Sequence, residues 1–127
     1  MQNATSDVAA GPEVIFHDYL RAGRFMIQRS RSSGRYVFYP RLMAPGTGLE
    51  DLEWVEAAGT GTVYAITVNR GREESYNIAL VELDEGVRMM SRIDGVESVP
   101  IGTRVTARIA GSKEAPFVIF TPAGRDA

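Results

Sequence analysis

The side chains that could carry out catalysis are few in this chain and stand far apart along it. The sequence has no cysteine and a single histidine, His17. It also lacks the Gly-x-Ser-x-Gly pattern that exposes a nucleophilic serine on a strained turn. Asp84 and Glu85 are adjacent carboxylates, but acid–base chemistry needs two carboxylates in environments that separate their pKa values, and a turn explains this pair more simply. We therefore predict that the protein is not an enzyme.

Arginine side chains offer more for binding than for catalysis. The chain has 13 arginines and one lysine, and a guanidinium group can form paired hydrogen bonds with a phosphate or carboxylate. Arg88 and Arg92 fall on one outward face of a predicted hairpin, and Arg104 and Arg108 on the outward face of another strand. These four residues could contact the phosphates of coenzyme A or of a nucleic acid. An ordinary solvated face remains the alternative for all four.

A short helix is predicted before the first strand, from Pro12 to Arg21. Proline suits the first helical turn, a following acid suits its positive end, and Gly23 suits the stop. Four apolar residues recur on one side at helical spacing: Ile15, Phe16, Tyr19 and Leu20. A helix this short needs a surface to pack on. That surface could belong to the same chain or to a partner protein, and the sequence leaves both open.

The pattern of the remaining chain predicts strands separated by turns. Two short strands, 25–28 and 36–39, precede a Pro- and Gly-bounded loop. The later strands are predicted at 52–57, 62–69, 77–83, 87–93, 104–110 and 117–121. Gly59 and Gly61 break the first long strand, as in small barrels. We therefore predict an all-β fold, a five-stranded Greek-key barrel of the OB-fold type, preceded by the helix and the short hairpin.

The predicted helix and strands divide the chain into four segments. Residues 1–11 are predicted to be a disordered lead-in, 12–50 the helix and hairpin unit, 51–122 the OB-fold domain, and 123–127 a tail. No stretch approaches the ~20 apolar residues of a membrane span, and the start lacks the pattern of a secretory signal. A cytoplasmic location without membrane attachment is the resulting expectation.

Charge and aromatic placement argue against nucleic acid as the partner. The chain carries 14 basic and 16 acidic residues, a net charge of −2, whereas nucleic-acid-binding domains are usually basic. OB-folds that bind single strands stack bases on exposed aromatic rings. Here Tyr64 is predicted to point inward, Tyr76 to lie beside a loop, and Trp54 to lie in the core. Single-stranded nucleic acid is therefore the weakest of the binding hypotheses.

The order of these elements resembles one known family. The matching segments are Tyr39-Pro40-Arg41, Leu52-Glu53-Trp54-Val55, Gly59–Tyr64, Ile78–Arg88 and Ile101–Val105. That family, long described as a domain of unknown function, has an N-terminal helix, a rubredoxin-like zinc ribbon and an OB-fold. Its members accompany thiolases, lipid-transfer-protein-like aldolases and acyl-CoA hydratases. The resemblance covers roughly residues 12 to 122 and is specific because the pieces occur in a fixed order.

The chain departs from that family at the metal site. The family has Cys-x-x-Cys twice, a spacing suited to tetrahedral zinc, and the four positions here are Ser30, Ser33, Ala44 and Thr47. None of these side chains supplies a thiolate. We therefore expect a degenerate zinc ribbon that binds no zinc and is held by apolar packing instead.

The resemblance implies a non-catalytic accessory subunit in lipid metabolism. Its partner would be a thiolase-like protein or an acyl-CoA hydratase, and the ligand that it could help to bind is an acyl-CoA thioester. The helix side and the ribbon would form the docking surface, with seven residues named for partner contact: Ile15, Phe16, Tyr19, Leu20, Arg29, Arg31 and Arg41. An autonomous acyl-CoA or phosphate-binding OB module is the alternative.

Overall fold

A computed structural model describes residues 11–41, 51–71 and 75–123. The chain divides into two compact units. The first takes in the described residues up to Ala57 together with Gly111–Pro116, and the second takes in Ala58–Ala110 and the chain from Phe117 onward. Within the described part of the chain, no helix is long and apolar enough to cross a membrane.

The helix α1 spans Pro12–Arg21, as predicted. Pro12 occupies the start, Glu13 lies in the first turn and Arg21 in the last, which matches the helix dipole at both ends. After the helix, Gly23 adopts a φ of 82°. Its N–H donates to the Leu20 carbonyl and the Arg24 N–H donates to the Tyr19 carbonyl, each at 2.9 Å. A left-handed glycine therefore ends the helix by satisfying two of its last carbonyls.

The first unit contains a three-stranded antiparallel sheet in the order β2-β1-β3. Its strands are β1 (Met26–Ser30), β2 (Tyr36–Val37) and β3 (Leu52–Glu56). The sequence suggested that β3 opens the barrel. Instead, β3 pairs along the whole of β1 and belongs to the three-stranded sheet. The units consequently divide after Ala57, whereas the predicted domain boundary lies between residues 50 and 51.

The apolar side of α1 packs inside the first unit. Phe16 and Leu20 are buried, with 8% and 2% of their surfaces exposed. The Phe16 ring meets the Phe38 ring edge-to-face, with 5.4 Å between centroids. Trp54 also belongs here: its ring lies 5.6 Å from that of Tyr19, so it packs on the helix and not in the barrel core.

The second unit is built on a curled five-stranded sheet of the predicted OB type. Its strands are β4 (Thr60–Arg70), β5 (Ser75–Leu83), β6 (Arg88–Ser91), β7 (Arg104–Gly111) and β8 (Pro116–Pro122). They are ordered β6-β5-β4-β7-β8. A parallel bridge between Ile93 and Phe120 links the chain after β6 to β8, and the Ser91 hydroxyl donates to the Val118 carbonyl at 2.8 Å. The two edges of the sheet therefore meet.

Alternation along the strands fills the core of this unit. Val81 and Val105 are completely buried, and Met89 is 4% exposed. Gly61 lies where β4 pairs closely with β5. A Cβ atom there would stand 2.7 Å from the Glu82 carbonyl oxygen. A larger residue would therefore separate the two strands.

One predicted orientation is wrong, because the register of β4 shifts. Val63 pairs with Val81 and Ala65 pairs with Leu80, which leaves Tyr64 as an extra residue in a β-bulge. Strict alternation places Tyr64 with Ile66 and Val68, facing inward. The bulge turns its side chain outward instead, where it is 48% exposed.

Candidate functional site

Ser30, the first of the four positions predicted to correspond to zinc ligands, is held by hydrogen bonds. Ser30 is buried, and its hydroxyl donates to the Asp51 carboxylate at 3.0 Å while accepting the Ser33 N–H at 3.3 Å. Asp51 also accepts the Ser32 N–H at 2.8 Å. Hydrogen bonds from the Ser32 side chain and main chain hold the pKa of Asp51 below its ordinary value. A carboxylate thus fastens the turn after β1. Ala44 and Thr47 lie outside the described residues.

The arginines predicted for partner contact differ in how much they are already engaged. Arg29 donates to Glu53 from two nitrogens, at 2.6 and 3.0 Å, and Glu53 raises its pKa further. Arg31 lies 3.6 Å from the same carboxylate. Arg41 differs: its main chain forms two hydrogen bonds of 2.7 Å with the buried Gln28 amide. Gln28 therefore fixes the backbone of an exposed arginine.

The helix residues predicted for partner contact are mostly used within the chain. Phe16 and Leu20 are buried, so they cannot belong to an exposed docking surface. Tyr19 is half-buried against Trp54 and Arg24. Ile15 stays 36% exposed. The short helix packs its apolar side into its own unit because the edges of that small core would otherwise remain open.

Two of the predicted phosphate-binding arginines are held by carboxylates of the same unit. Arg104 forms paired hydrogen bonds with Asp84, at 2.8 and 3.0 Å, and Thr60 also donates to Asp84. These contacts, led by the one from Arg104, lower the pKa of Asp84 to about 2. Arg108 is 2.8 Å from Asp94. The hairpin acid Asp84 is therefore structural, and both guanidinium groups are already occupied.

The Asp84–Arg104 pair predicts a specific loss of stability in acid. Because the folded-state pKa lies below the ordinary 3.8, the contribution is complete above pH 4 and is lost as the pH falls toward 2. Both side chains are more than a third exposed, so we expect a modest contribution of about 1 kcal/mol. Urea unfolding between pH 5 and pH 2.5 should show a smaller pH dependence for Asp84→Asn than for the wild type. Arg104→Gln should behave likewise, and slopes equal to that of the wild type would contradict the assignment.

The other two arginines are stacked on tyrosine rings. The guanidinium carbon of Arg88 lies 3.7 Å from the centroid of the Tyr64 ring, and that of Arg92 lies 4.9 Å from the Tyr76 ring. Such cation–π contacts fix the plane of the guanidinium group and leave its edge open. Arg88 also approaches Glu82 at 3.5 Å. Among the described residues, Arg92 has no carboxylate partner.

Arg92 also lines a cavity of about 300 Å³ in the second unit. The cavity is bounded by Tyr76, by the loop from Ile93 to Val96, and by Ile119. Asn77 holds that loop: it is 3% exposed, accepts the Ile93 N–H at 2.7 Å and donates to the Ile93 carbonyl at 2.9 Å. The cavity wall is therefore built on a buried polar anchor, and its described lining includes the Arg92 guanidinium and the Asp94 carboxylate.

A solved structure, the Ltp2-ChsH2(DUF35) aldolase, contains a chain closely similar to this one. The two are 30% identical with a TM-score of 0.79, and the match covers 88% of this chain and 94% of the other. The chain belongs to the ChsH2/DUF35 family. Consistent with this, residues 54–110 match the family model for the ChsH2 C-terminal OB-fold domain. A DUF35 protein of unknown function from Sulfolobus solfataricus, 16% identical with a TM-score of 0.65, shares the fold.

A curated relative of this ChsH2/DUF35 chain is the probable enoyl-CoA hydratase alpha subunit of Thermomonospora curvata. The sequences are 33% identical over 108 residues, 79% of this chain. That stretch is 34% of the relative, so the chain spans about one third of the length of the curated protein that it matches.

Sequence reasoning missed the polar residues that organise both units of this ChsH2/DUF35 chain, of which Gln28 and Asn77 are buried and Asp51 is half-buried. Gln28, Asn77 and Asp51 each fix a neighbouring segment, but their types are common and their spacing carries no signal. His17 donates to the Glu13 carbonyl at 2.8 Å within its own helix. Within the described ranges, no group of three or more His, Cys, Asp or Glu residues is placed to hold a metal ion.

Proposed function

We propose that this protein is a non-catalytic accessory subunit of an enzyme that processes acyl-CoA, of the thiolase-like, aldolase or hydratase type. The single observation that carries the proposal is the match to a chain of the Ltp2-ChsH2(DUF35) aldolase over 94% of that chain's length. The relative named as an enoyl-CoA hydratase subunit supports an acyl-CoA as the class of substrate. A zinc ribbon without zinc, a role in lipid metabolism and a cytoplasmic location belong to this proposal.

The contacts in both units are consistent with an accessory role. The carboxylates with lowered pKa, Asp51 and Asp84, are engaged in hydrogen bonds that hold turns together. Exposed arginines, by contrast, stand where a partner or an acyl-CoA could reach them. Arg41 is the clearest in the first unit, because Gln28 fixes its main chain while the side chain stays at the surface.

Co-purification tests the proposal. The tagged protein should be co-expressed in turn with the thiolase-like, aldolase and enoyl-CoA hydratase proteins of its own genome. We expect one of them to elute with it as a defined complex at micromolar concentration. The catalytic activity of that partner should rise or its thermal stability should increase in the complex. Separate migration of every pair would refute the accessory role.

An autonomous acyl-CoA or phosphate-binding module is the second candidate, and the cavity beside Arg92 favours it. The cavity presents the Arg92 guanidinium group, which forms no ion pair with a described carboxylate, since Asp94 in the same lining is paired with Arg108. Calorimetric titration of the isolated protein with coenzyme A separates the two candidates. Binding that Arg92→Gln abolishes supports the module, whereas heat only in the presence of an enzyme partner supports the accessory role.

A further inference from the structure

The outward side of strands β4, β5 and β6 forms a continuous apolar surface, which we call the meander face. The register places Ala65, Leu80 and Met90 in one row across the three strands. The bulge places Tyr64 beside this row. Ile78 lies on the same side of β5, two residues before Leu80. Tyr64 is 48% exposed and Ile78 is 37% exposed. Apolar side chains therefore meet across strands on a side of the sheet that faces away from its own core.

Two stacked pairs flank the apolar row. Arg88 covers the Tyr64 ring next to the row, and Arg92 covers the Tyr76 ring farther along β5. The Tyr76 hydroxyl also accepts the Asn69 side-chain N–H at 2.9 Å. Tyrosine and arginine lose little conformational entropy on binding when they are already held in this way. Rigid Tyr and Arg anchors around an apolar centre are typical of the residues that dominate protein–protein interfaces.

The same contacts make a nucleic acid a poor occupant of this face. The Arg88 guanidinium lies over the Tyr64 ring at 3.7 Å, where a base would have to stack. Glu82 stands beside Arg88 and would repel a phosphate backbone. The chain as a whole carries a net charge of −2. An apolar surface of a partner protein fits the centre of the face. The charged residues at the rim determine which charge the partner should carry opposite them.

We propose that the meander face is the surface on which the catalytic subunit docks, through an apolar patch with a carboxylate opposite Arg92. This inference rests on the proposed function and moves the interface from the helix to the OB-fold. Arg92 supplies the charge argument, since Asp94, which lines the same cavity, is already paired with Arg108. Arg88 is partly neutralised by Glu82, so the charge of the rim is concentrated at Arg92.

Matched substitutions test the proposal on the complex with the catalytic subunit identified by co-purification. Tyr64→Ala removes an aromatic residue from the face, and Phe117→Ala removes an equally exposed aromatic residue, also 48%, from β8. We expect Tyr64→Ala to weaken binding by about tenfold or more, as for a central interface residue, and Phe117→Ala by less than about threefold. Arg92→Glu should weaken binding at least as much as Tyr64→Ala, and added salt should weaken the wild-type complex.

Each outcome of this experiment decides between alternatives. If the wild type binds the subunit and Tyr64→Ala and Arg92→Glu bind equally well, the interface lies elsewhere, while the accessory role stands. If the wild type binds none of the candidate subunits, the proposed function itself fails. Self-association of the isolated protein that Tyr64→Ala abolishes would assign the face to a second copy. Salt-sensitive binding of an oligothymidine, lost in Arg92→Glu, would assign it to nucleic acid. Circular dichroism and thermal melting should match the wild type for all three variants, because each changed residue is exposed.

Discussion

Replacing the four positions predicted to correspond to zinc ligands with cysteine is expected to create a zinc-binding protein. The variant carries Ser30→Cys, Ser33→Cys, Ala44→Cys and Thr47→Cys, which restores two Cys-x-x-Cys pairs. Four thiolates bind Zn²⁺ tetrahedrally, and the apparent binding energy in small zinc-finger peptides is ~10–16 kcal/mol. Metal analysis should give about one equivalent of zinc per chain, and the wild type should contain none.

The metal-free form of this variant should be less stable than the wild type. Ser30 donates to Asp51 and accepts the Ser33 N–H, and a thiol at this position makes weaker hydrogen bonds. Zinc should therefore raise the melting temperature of the variant strongly, and a chelator should reverse the effect. The double variant with only Ser30→Cys and Ser33→Cys is the control, because two thiolates do not complete a structural site. Equal zinc content in the double and quadruple variants would show that the four positions do not converge.

Leu20→Ala is expected to be strongly destabilising. Leu20 is 2% exposed on the inner side of α1, and truncating a buried leucine typically costs about 2–5 kcal/mol, through lost burial and the cavity left behind. Denaturant unfolding of the isolated protein measures the loss directly. A cost in this range means that the helix is part of the folding core of its own unit, without any partner present.

Ile15→Ala is the matched control for this experiment. Ile15 lies on the same helix but is 36% exposed, and alanine has the higher helix propensity. Its effect should stay within about 0.5 kcal/mol, as for most surface substitutions. Equal effects of the two substitutions would contradict the packing described here and would return the whole apolar side of α1 to consideration as a docking surface.

The packing of α1 limits where a partner can bind. The inner side of α1 packs against Phe25, Phe38 and Trp54. Exposed residues of the helix, such as Ile15, are therefore all that it offers to an interface. The meander face carries three of the large exposed apolar side chains of the second unit, Tyr64, Ile78 and Met90, together with two arginines stacked on tyrosine rings. The accessory role that the family match supports therefore requires no exposed helix.

Local rules determined the elements of this chain. The proline at position 12 and the glycine at position 23 mark both ends of α1, and the observed helix spans Pro12–Arg21 as predicted. Alternation along β5 places Ala79, Val81 and Leu83 on one side of the strand, and all three are buried. Such signals are readable because capping and strand alternation act between residues that are close in sequence.

Tertiary structure alone decided which surfaces remain available. The pairing of β3 with β1, the bulge that turns Tyr64 outward, and the pairing of Arg104 with Asp84 each join residues that lie far apart in the chain or change the register of one strand against another. Alternation counts residues along one strand, so a single extra residue in a bulge escapes it. Likewise, whether an arginine is free for a ligand depends on which carboxylate folding brings beside it. The sequence pattern therefore predicted the OB-fold, while the register and the ion pairs decided which tyrosine and arginine side chains are exposed and unpaired in the described part of the chain.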